Sequence, residues 1–218
     1  VIASHSSVHA LRAHPRNMDD ETMKALAAKG GVIQIVAFDD YLHEVPKAKH
    51  KARGEAAKRL GLTSLEAFFD ASDETKAEFG KISNRLDAEY PRSTLSNLVD
   101  HIDYAVTLVG IDHVGIASDF QGGGGIRGWR DAGETFNVTL ELVRRGYGEE
   151  EIAKLWGGNI LRVMRAVEEA AAAQRAAVRR IRQRRASGGG DPQKRQRIRE
   201  TPADPRLGGT RQLDLQGR

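Results

Sequence analysis

Three short, mainly apolar runs constrain the fold of this 218-residue chain more than any other feature. They occupy residues 1–4 (VIAS), 32–38 (VIQIVAF) and 113–120 (HVGIASDF). Between the first two runs, Asn17 is the predicted N-cap of a helix whose first turn is acidic and which stops at Gly30. Apolar strands separated by capped helices are typical of a parallel sheet that is covered on both faces. The sequence therefore predicts the α/β class.

The segment between the second and third runs has a different character. Residues 39–92 are polar and charged with a helical pattern, which predicts a helical excursion from the sheet rather than a core element. Residues 93–110 restore a strong helical period, with Ser93 or Thr94 as the N-cap. The four glycines at 122–125 predict a flexible loop. Two closing helices are predicted over residues 134–147 and 148–170.

Charge is distributed unevenly along the chain. The formal net charge is +4, but residues 175–218 contain 12 Arg and one Lys against four acidic residues, a local net charge of +9. Residues 1–174 therefore carry −5. An acidic body argues against nucleic acid as a partner of the whole protein.

The pattern changes near residue 171, which divides the chain into a domain over 1–170 and an extension over 171–218. Residues 170–185 are compatible with a longer last helix. The rest of the extension is rich in Arg, Gly and Pro and has almost no apolar periodicity, so we expect it to be disordered.

Two classes of protein are excluded by composition. The sequence contains no cysteine, which excludes a disulfide framework and thiolate metal sites and leaves the compartment open, because periplasmic and cytosolic enzymes alike can lack disulfides. It also contains no apolar run near 18 residues, so the sequence predicts no membrane span.

Two polar residues stand where predicted strands end. His5 follows the first strand and Asp119 closes the third. In (β/α) barrels the catalytic groups lie at the carboxyl ends of the strands. This placement favours about three strand–helix units of such a barrel, with both side chains facing one opening.

Three blocks of sequence extend this interpretation: SHSSVHALRAHPRNMDDETMKALAAKGGVIQI, VDHIDYAVTLVGIDHVGIASDF and ELVRRGYGEEEIAKLWGGNILRV. Together they closely resemble the C-terminal part of the renal (membrane) dipeptidase family in its bacterial form, over roughly residues 1–168. The resemblance implies the C-terminal portion of a TIM (β/α)8 barrel. It also implies a two-zinc metallopeptidase that hydrolyses free dipeptides, including some with a D residue in second position.

The resemblance also implies roles for three residues. His5 would be a zinc ligand. Arg16 would bind the free carboxylate of the dipeptide, which suits the paired donors of a guanidinium. Asp119 would act as the acid/base group that takes a proton from the attacking water and delivers it to the leaving amine. The reaction implied is metal-assisted hydrolysis.

The chain departs from the family in two respects. Gln121 stands where the family usually has an aspartate. More importantly, the family's other metal ligands all precede the block that contains His5. A zinc site normally needs three or four protein ligands, so we interpret the chain as a trailing fragment and expect it to be inactive by itself.

Alternatives remain open at this point. His9 and His14 are interpreted as loop residues, because Pro15 argues against one helix carrying both His5 and His9. The chain could instead come from another metal-dependent barrel amidohydrolase, which would not need a cation at Arg16. It could also be a non-enzymatic fragment whose basic extension binds nucleic acid. A homodimer would be in keeping with the family, although no interface can be identified in the sequence.

Overall fold

The computed structural model describes residues 1–187 and contains one three-stranded parallel sheet. Its strands are β1 (Ile2–Ser6), β2 (Val32–Val36) and β3 (Val114–Ala117), in the order β1-β2-β3. Ile2 pairs with Val32, and Ile33 pairs with Val114. The predicted α/β class is confirmed, because all three apolar runs form parallel strands.

The described part of the chain contains nine α-helices. Helix α1 follows β1, helices α2–α6 lie between β2 and β3, and helices α7–α9 follow β3. Their bounds are α1 Asp20–Ala28, α2 Asp39–Leu42, α3 Lys47–Arg59, α4 Leu65–Asp70, α5 Asp73–Glu89, α6 Leu95–Val109, α7 Thr135–Arg144, α8 Glu149–Ala153 and α9 Asn159–Ser187.

The core is apolar and lies between the sheet and helix α6. Ile33 and Ile35 of β2 are fully buried, as are Leu98 and Ile102 of α6. Removing one such side chain from water stabilises the fold by about 1.5–3 kcal/mol. The spacing of Leu98 and Ile102, four residues apart, places both on the same face of α6.

The predicted N-cap of α1 is wrong. Asp19 caps this helix by accepting a hydrogen bond from the Thr22 N–H at 2.7 Å. Asn17 instead donates from Nδ2 to the carbonyls of Arg12 and Tyr41, at 2.9 and 2.8 Å. The Asn17 side chain therefore stabilises the loop after β1. Local sequence cannot reveal this role, because one of its partners, Tyr41, is distant in the chain.

Of the two residues predicted as N-cap of α6, Thr94 caps the helix. The Thr94 hydroxyl accepts from the Asn97 N–H at 3.4 Å, and the Asn97 side chain accepts from the Thr94 N–H at 3.0 Å, which completes a capping box. Ser93 has another role, because its N–H and hydroxyl donate to Asp39.

The helical excursion is attached by buried charge. Lys49 of α3 is only 3% exposed. Its ammonium lies 3.0 Å from a carboxylate oxygen of Asp39 and 3.0 Å from one of Asp87. Asp87 also pairs with Arg92 at 2.9 Å. One lysine thus joins the helix after β2 to helices α3 and α5.

Residues 1–168 form one compact unit, and the described remainder is the continuation of α9 to Ser187. The stretch 188–218, most of the segment expected to be disordered, lies outside the described residues. Across residues 1–187, no helix combines the length and the apolar character needed to cross a bilayer.

Candidate active site at the strand ends

His5 is the penultimate residue of β1 rather than the first residue after it. The strand runs further than predicted because Ser6 still pairs with Ile35 of β2. The His5 imidazole is exposed, and its Nδ1 lies 2.7 Å from the Ser4 hydroxyl. A partner on one ring nitrogen fixes the ring and leaves Nε2 available, which is how metal-binding histidines are commonly held.

Asp119 lies two residues beyond β3 in a left-handed conformation, with φ 52° and ψ 32°. Left-handed backbone is uncommon for a residue with a side chain, and it clusters at functional sites. The Asp119 carbonyl accepts hydrogen bonds from the Gly122 and Gly124 N–H groups at 2.9 and 2.7 Å. Its carboxylate makes no hydrogen bond or ion pair with any residue in 1–187.

The glycines after Asp119 allow this close approach. A methyl group on Gly122 would overlap the Asp119 carboxylate, and one on Gly124 would overlap the Ser118 carbonyl. In the loop predicted from 122–125, the glycine backbone therefore packs directly against the Asp119 carboxylate. Glycine is needed here because any side chain would displace Asp119.

Arg16 lies in the loop after β1, and its guanidinium makes no hydrogen bond or ion pair within the described residues. Its carbonyl accepts from the Ser6 hydroxyl at 2.8 Å, which links this loop to the residue after His5. The guanidinium lies 5.9 Å from the centre of the Tyr41 ring. A cation over an aromatic face is held without losing its hydrogen-bond donors.

Arg12, in the same loop, is fully engaged. Its Nε donates to the carbonyls of Asp40 and His43, and its Nη2 lies 3.0 Å from the Asp40 carboxylate. Of these two arginines, Arg16 is therefore the one that can receive an anionic ligand.

His14 contacts the same aromatic ring as Arg16, that of Tyr41. Its ring stacks on Tyr41 at 4.6 Å, and its Nε2 lies 3.5 Å from Asp40. Burial lowers the pKa of His14 and outweighs the nearby Asp40 carboxylate, which acts in the opposite direction. His9 and His14 both lie in the loop between β1 and α1, as expected.

The three predicted residues lie at the same edge of the sheet, because β1 and β3 run parallel to each other on either side of β2. His5 lies in β1 and Asp119 follows β3; these two outer strands are two strand spacings or roughly 10 Å apart across the sheet. Arg16 reaches this edge through the loop that follows β1.

The fit to a metal ion is partial. His5 suits one ligand position, but within residues 1–187 no three side chains of His, Asp or Glu converge on a point where a metal could be held. The described residues do not complete a zinc shell.

Sequence reasoning missed the polar residues that follow β2. Asp39, Asp40 and Tyr41 begin three residues after this strand, at the same edge as His5 and Asp119. The signal was available, because the strand-end rule that selected His5 applies equally to this position.

A parallel α/β sheet with a histidine, an unpaired arginine and an unpaired carboxylate near its strand ends is typical of α/β enzymes, which place their catalytic side chains at the carboxyl ends of the strands. Within this class, the chain belongs to the membrane dipeptidase family, peptidase family M19, whose model matches residues 1–178. The resemblance stated from the sequence is confirmed.

Relatives agree with this assignment. Dipeptidase ataJ of Aspergillus terreus is 31% identical over 172 residues, covering 78% of this chain and 32% of its own length. Dipeptidase aclJ of Aspergillus oryzae is 28% identical over 172 residues, covering 78% and 31%. The chain thus spans about a third of the length of the curated relatives it matches.

Two solved structures share the fold. The probable dipeptidase PvdM from Pseudomonas aeruginosa is 41% identical, with a TM-score of 0.56 over 74% of this chain and 43% of that one. A metallopeptidase from Rhodobacter sphaeroides, solved with a phosphinate mimic of L-Ala-D-Ala, has a TM-score of 0.50 at 20% identity, over 72% and 33%. The second likeness supports the fold alone.

Proposed function

We propose that this chain is part of a zinc-dependent dipeptidase and supplies one metal ligand, a receptor for the substrate carboxylate and an acid/base group. In this proposal the three strands belong to a TIM (β/α)8 barrel, with residues 1–170 as the barrel part and 171–218 as an extension. Family membership supports the reaction class. The observation that carries the assignment is the unpaired guanidinium of Arg16 at the strand edge.

Each residue has one task. His5 holds a metal ion through Nε2 while Ser4 fixes its other ring nitrogen. Arg16 receives the free carboxylate of the dipeptide with two parallel N–H donors. Asp119 takes a proton from the attacking water and returns it to the leaving amine. Zinc, when bound, supplies Lewis-acid activation of the water and of the scissile carbonyl.

The 218-residue chain itself should be inactive, because no three His, Asp or Glu side chains among its described residues converge on a position where a metal could be held. We expect no release of amino acids from alanyl-alanine when the purified chain is incubated with zinc and the products are separated by chromatography. Hydrolysis by this chain, abolished by a chelator, would contradict this expectation.

Arg16 distinguishes a dipeptidase from an amidohydrolase that acts on uncharged amides. In an enzyme that joins this segment to a complete metal centre, Arg16→Met should raise KM for dipeptides about 10–100-fold. The reason is that a charge-assisted hydrogen bond to carboxylate contributes about 1.5–3 kcal/mol. Arg85→Met, at an exposed arginine of α5, is the matched control. An unchanged KM for Arg16→Met would favour the amidohydrolase.

His5 has a matched control in the loop that follows β1. His9 is also exposed and lies four residues further along the chain. We expect His5→Ala to lower activity and zinc content of the complete enzyme together, and His9→Ala to leave both near their original values. Equal losses in the two variants would remove His5 from the metal site.

A further inference from the structure

A cleft of about 530 Å³ opens between the helical excursion and the loop that follows β3. Its walls contain Phe68 of α4, Phe79 of α5 and Phe120, with Leu62 between the helices. The rings of Phe68 and Phe79 meet edge to face at 6.3 Å. This volume and lining are typical of a small-molecule site. We refer to it as the aromatic cleft.

The aromatic cleft touches the candidate active site. Gly122 lines the cleft, and it is also the residue against which the Asp119 carboxylate rests. Gly123 and Arg53 line both this cleft and a neighbouring polar cavity of about 170 Å³ beside Asp39. A group bound in the cleft would therefore lie next to the carboxylate that we assign to proton transfer.

The charged groups of the aromatic cleft have one sign. Arg53 and Lys76 line it, and no acidic side chain does so among the described residues. Arg53 lies 5.7 Å from the centre of the Phe79 ring and makes no hydrogen bond or ion pair within residues 1–187. A guanidinium held over a ring but lacking a carboxylate is suited to an anion.

The cleft also contains an unused hydroxyl. Ser83 lines it, and its Oγ is buried without a hydrogen-bond partner in the described structure. A buried polar atom without a partner costs free energy that a polar ligand atom would recover.

We infer that the aromatic cleft binds an apolar acid, with an aromatic or branched aliphatic group between Phe68 and Phe79 and its anionic end at Arg53. Assigning this ligand to the substrate rests on the proposed function: the favoured substrates are then those that carry a bulky apolar group ending in an anion. The binding itself does not depend on catalysis, so it can be tested on this chain.

The probe is 4-phenylbutyrate, titrated calorimetrically into the 218-residue chain, with 4-phenylbutanamide as its neutral analogue. We expect the acid to bind more tightly than the amide by up to about fivefold, the range of an exposed ion pair. Arg53→Gln should remove this preference. No heat of binding for the acid at millimolar concentration, or equal affinity for the amide, would overturn the proposal.

Gly80 of α5 allows the cleft to be filled without strain. It lines the cleft, and a side chain added there meets nothing within 4 Å. Gly80→Leu should abolish binding of the acid, while the helix keeps or gains stability because leucine is a better helix former. Gly54→Leu, at an equally open helical glycine of α3 that does not line the cleft, is the matched control.

A second pair of variants checks the aromatic wall. Phe79→Ala should weaken binding several-fold, whereas Phe136→Ala, at a phenylalanine of α7 that is 70% exposed, should not. Equal weakening by both would show non-specific binding and overturn the proposal. Failure of any of these tests would leave the roles of His5 and Arg16 untouched.

Discussion

The sheet region and the helical excursion are stabilised by different forces. Around β1–β3 and α6, the buried groups are mainly aliphatic, with Leu98, Val99 and Ile102 fully enclosed. In the excursion, the most buried side chain that bridges elements is the ammonium of Lys49, held by Asp39 and Asp87. Apolar burial repeats along a helix or strand and can be detected in sequence, whereas a three-residue charge cluster brought together from distant positions cannot.

The largest expected effect tests the charged attachment. Lys49→Met should lower the free energy of unfolding by about 3 kcal/mol, because it leaves the half-buried carboxylate of Asp39 without its cation, while Asp87 keeps Arg92. Urea denaturation would measure this change. The matched control is Lys51→Met at an exposed pair with Glu55, with an expected change under about 0.5 kcal/mol. If the two variants lost the same free energy of unfolding, the ion pairs of Lys49 would not be what stabilises the excursion.

A core substitution tests the other side of the comparison. Leu98→Ala should cost about 3 kcal/mol, from lost burial and the cavity left behind. Leu65→Ala, at a leucine of the excursion that is 73% exposed, should cost little. If the two variants lowered the urea midpoint equally, burial of Leu98 would not be what stabilises the sheet region.

The next effect is the pH dependence of stability, and it arises where α6 meets the loop after β1 and the start of the excursion, at His101. The Nδ1 of His101 accepts from the Val8 N–H at 3.0 Å, and its Nε2 lies 3.2 Å from the Leu42 carbonyl. Burial lowers the pKa of His101 to about 4, against the raising effect of that carbonyl. Between pH 4 and 6.5 the unfolded state thus binds more protons, so stability should fall by up to about 3 kcal/mol as pH decreases through this range.

Denaturation at several pH values measures this slope. His101→Gln should flatten it. A slope that survives in His101→Gln would assign the pH dependence to other groups.

The smallest effect compares helix caps in the two regions. Thr94→Ala at α6 and Ser72→Ala at α5 should each cost about 1 kcal/mol, because each removes a side-chain acceptor for a helical N–H. Thermal unfolding would measure both. A cost well above this value for Ser72 alone would show that α5 depends more on local bonds than on its charged attachment.

The outcome of sequence prediction follows the same division. The strands and α6 were predicted because their apolar residues repeat locally. The attachment of the excursion was not, because Asp39, Lys49 and Asp87 are far apart in sequence and their pairing depends on the tertiary fold. The choice between Arg12 and Arg16 came from the family resemblance, and only the hydrogen bonds of Arg12 supply a physical reason for it.

The candidate site shows the same limit at closer range. Strand-end placement was sufficient to select Asp119. Its left-handed backbone conformation, however, depends on the space that the absent side chains of Gly122 and Gly124 leave for the Asp119 carboxylate and the Ser118 carbonyl. His5 lies inside β1 because pairing extends to Ser6. Such features are set by partners on other strands and loops.

The left-handed backbone at Asp119 restricts which amino acids this position can exchange during evolution. Asparagine and glycine accept that geometry readily, whereas alanine, glutamate and branched residues resist it. A lineage that loses the carboxylate should therefore drift first to asparagine or glycine, and retain the neighbouring glycines for a time as a trace of the former charge.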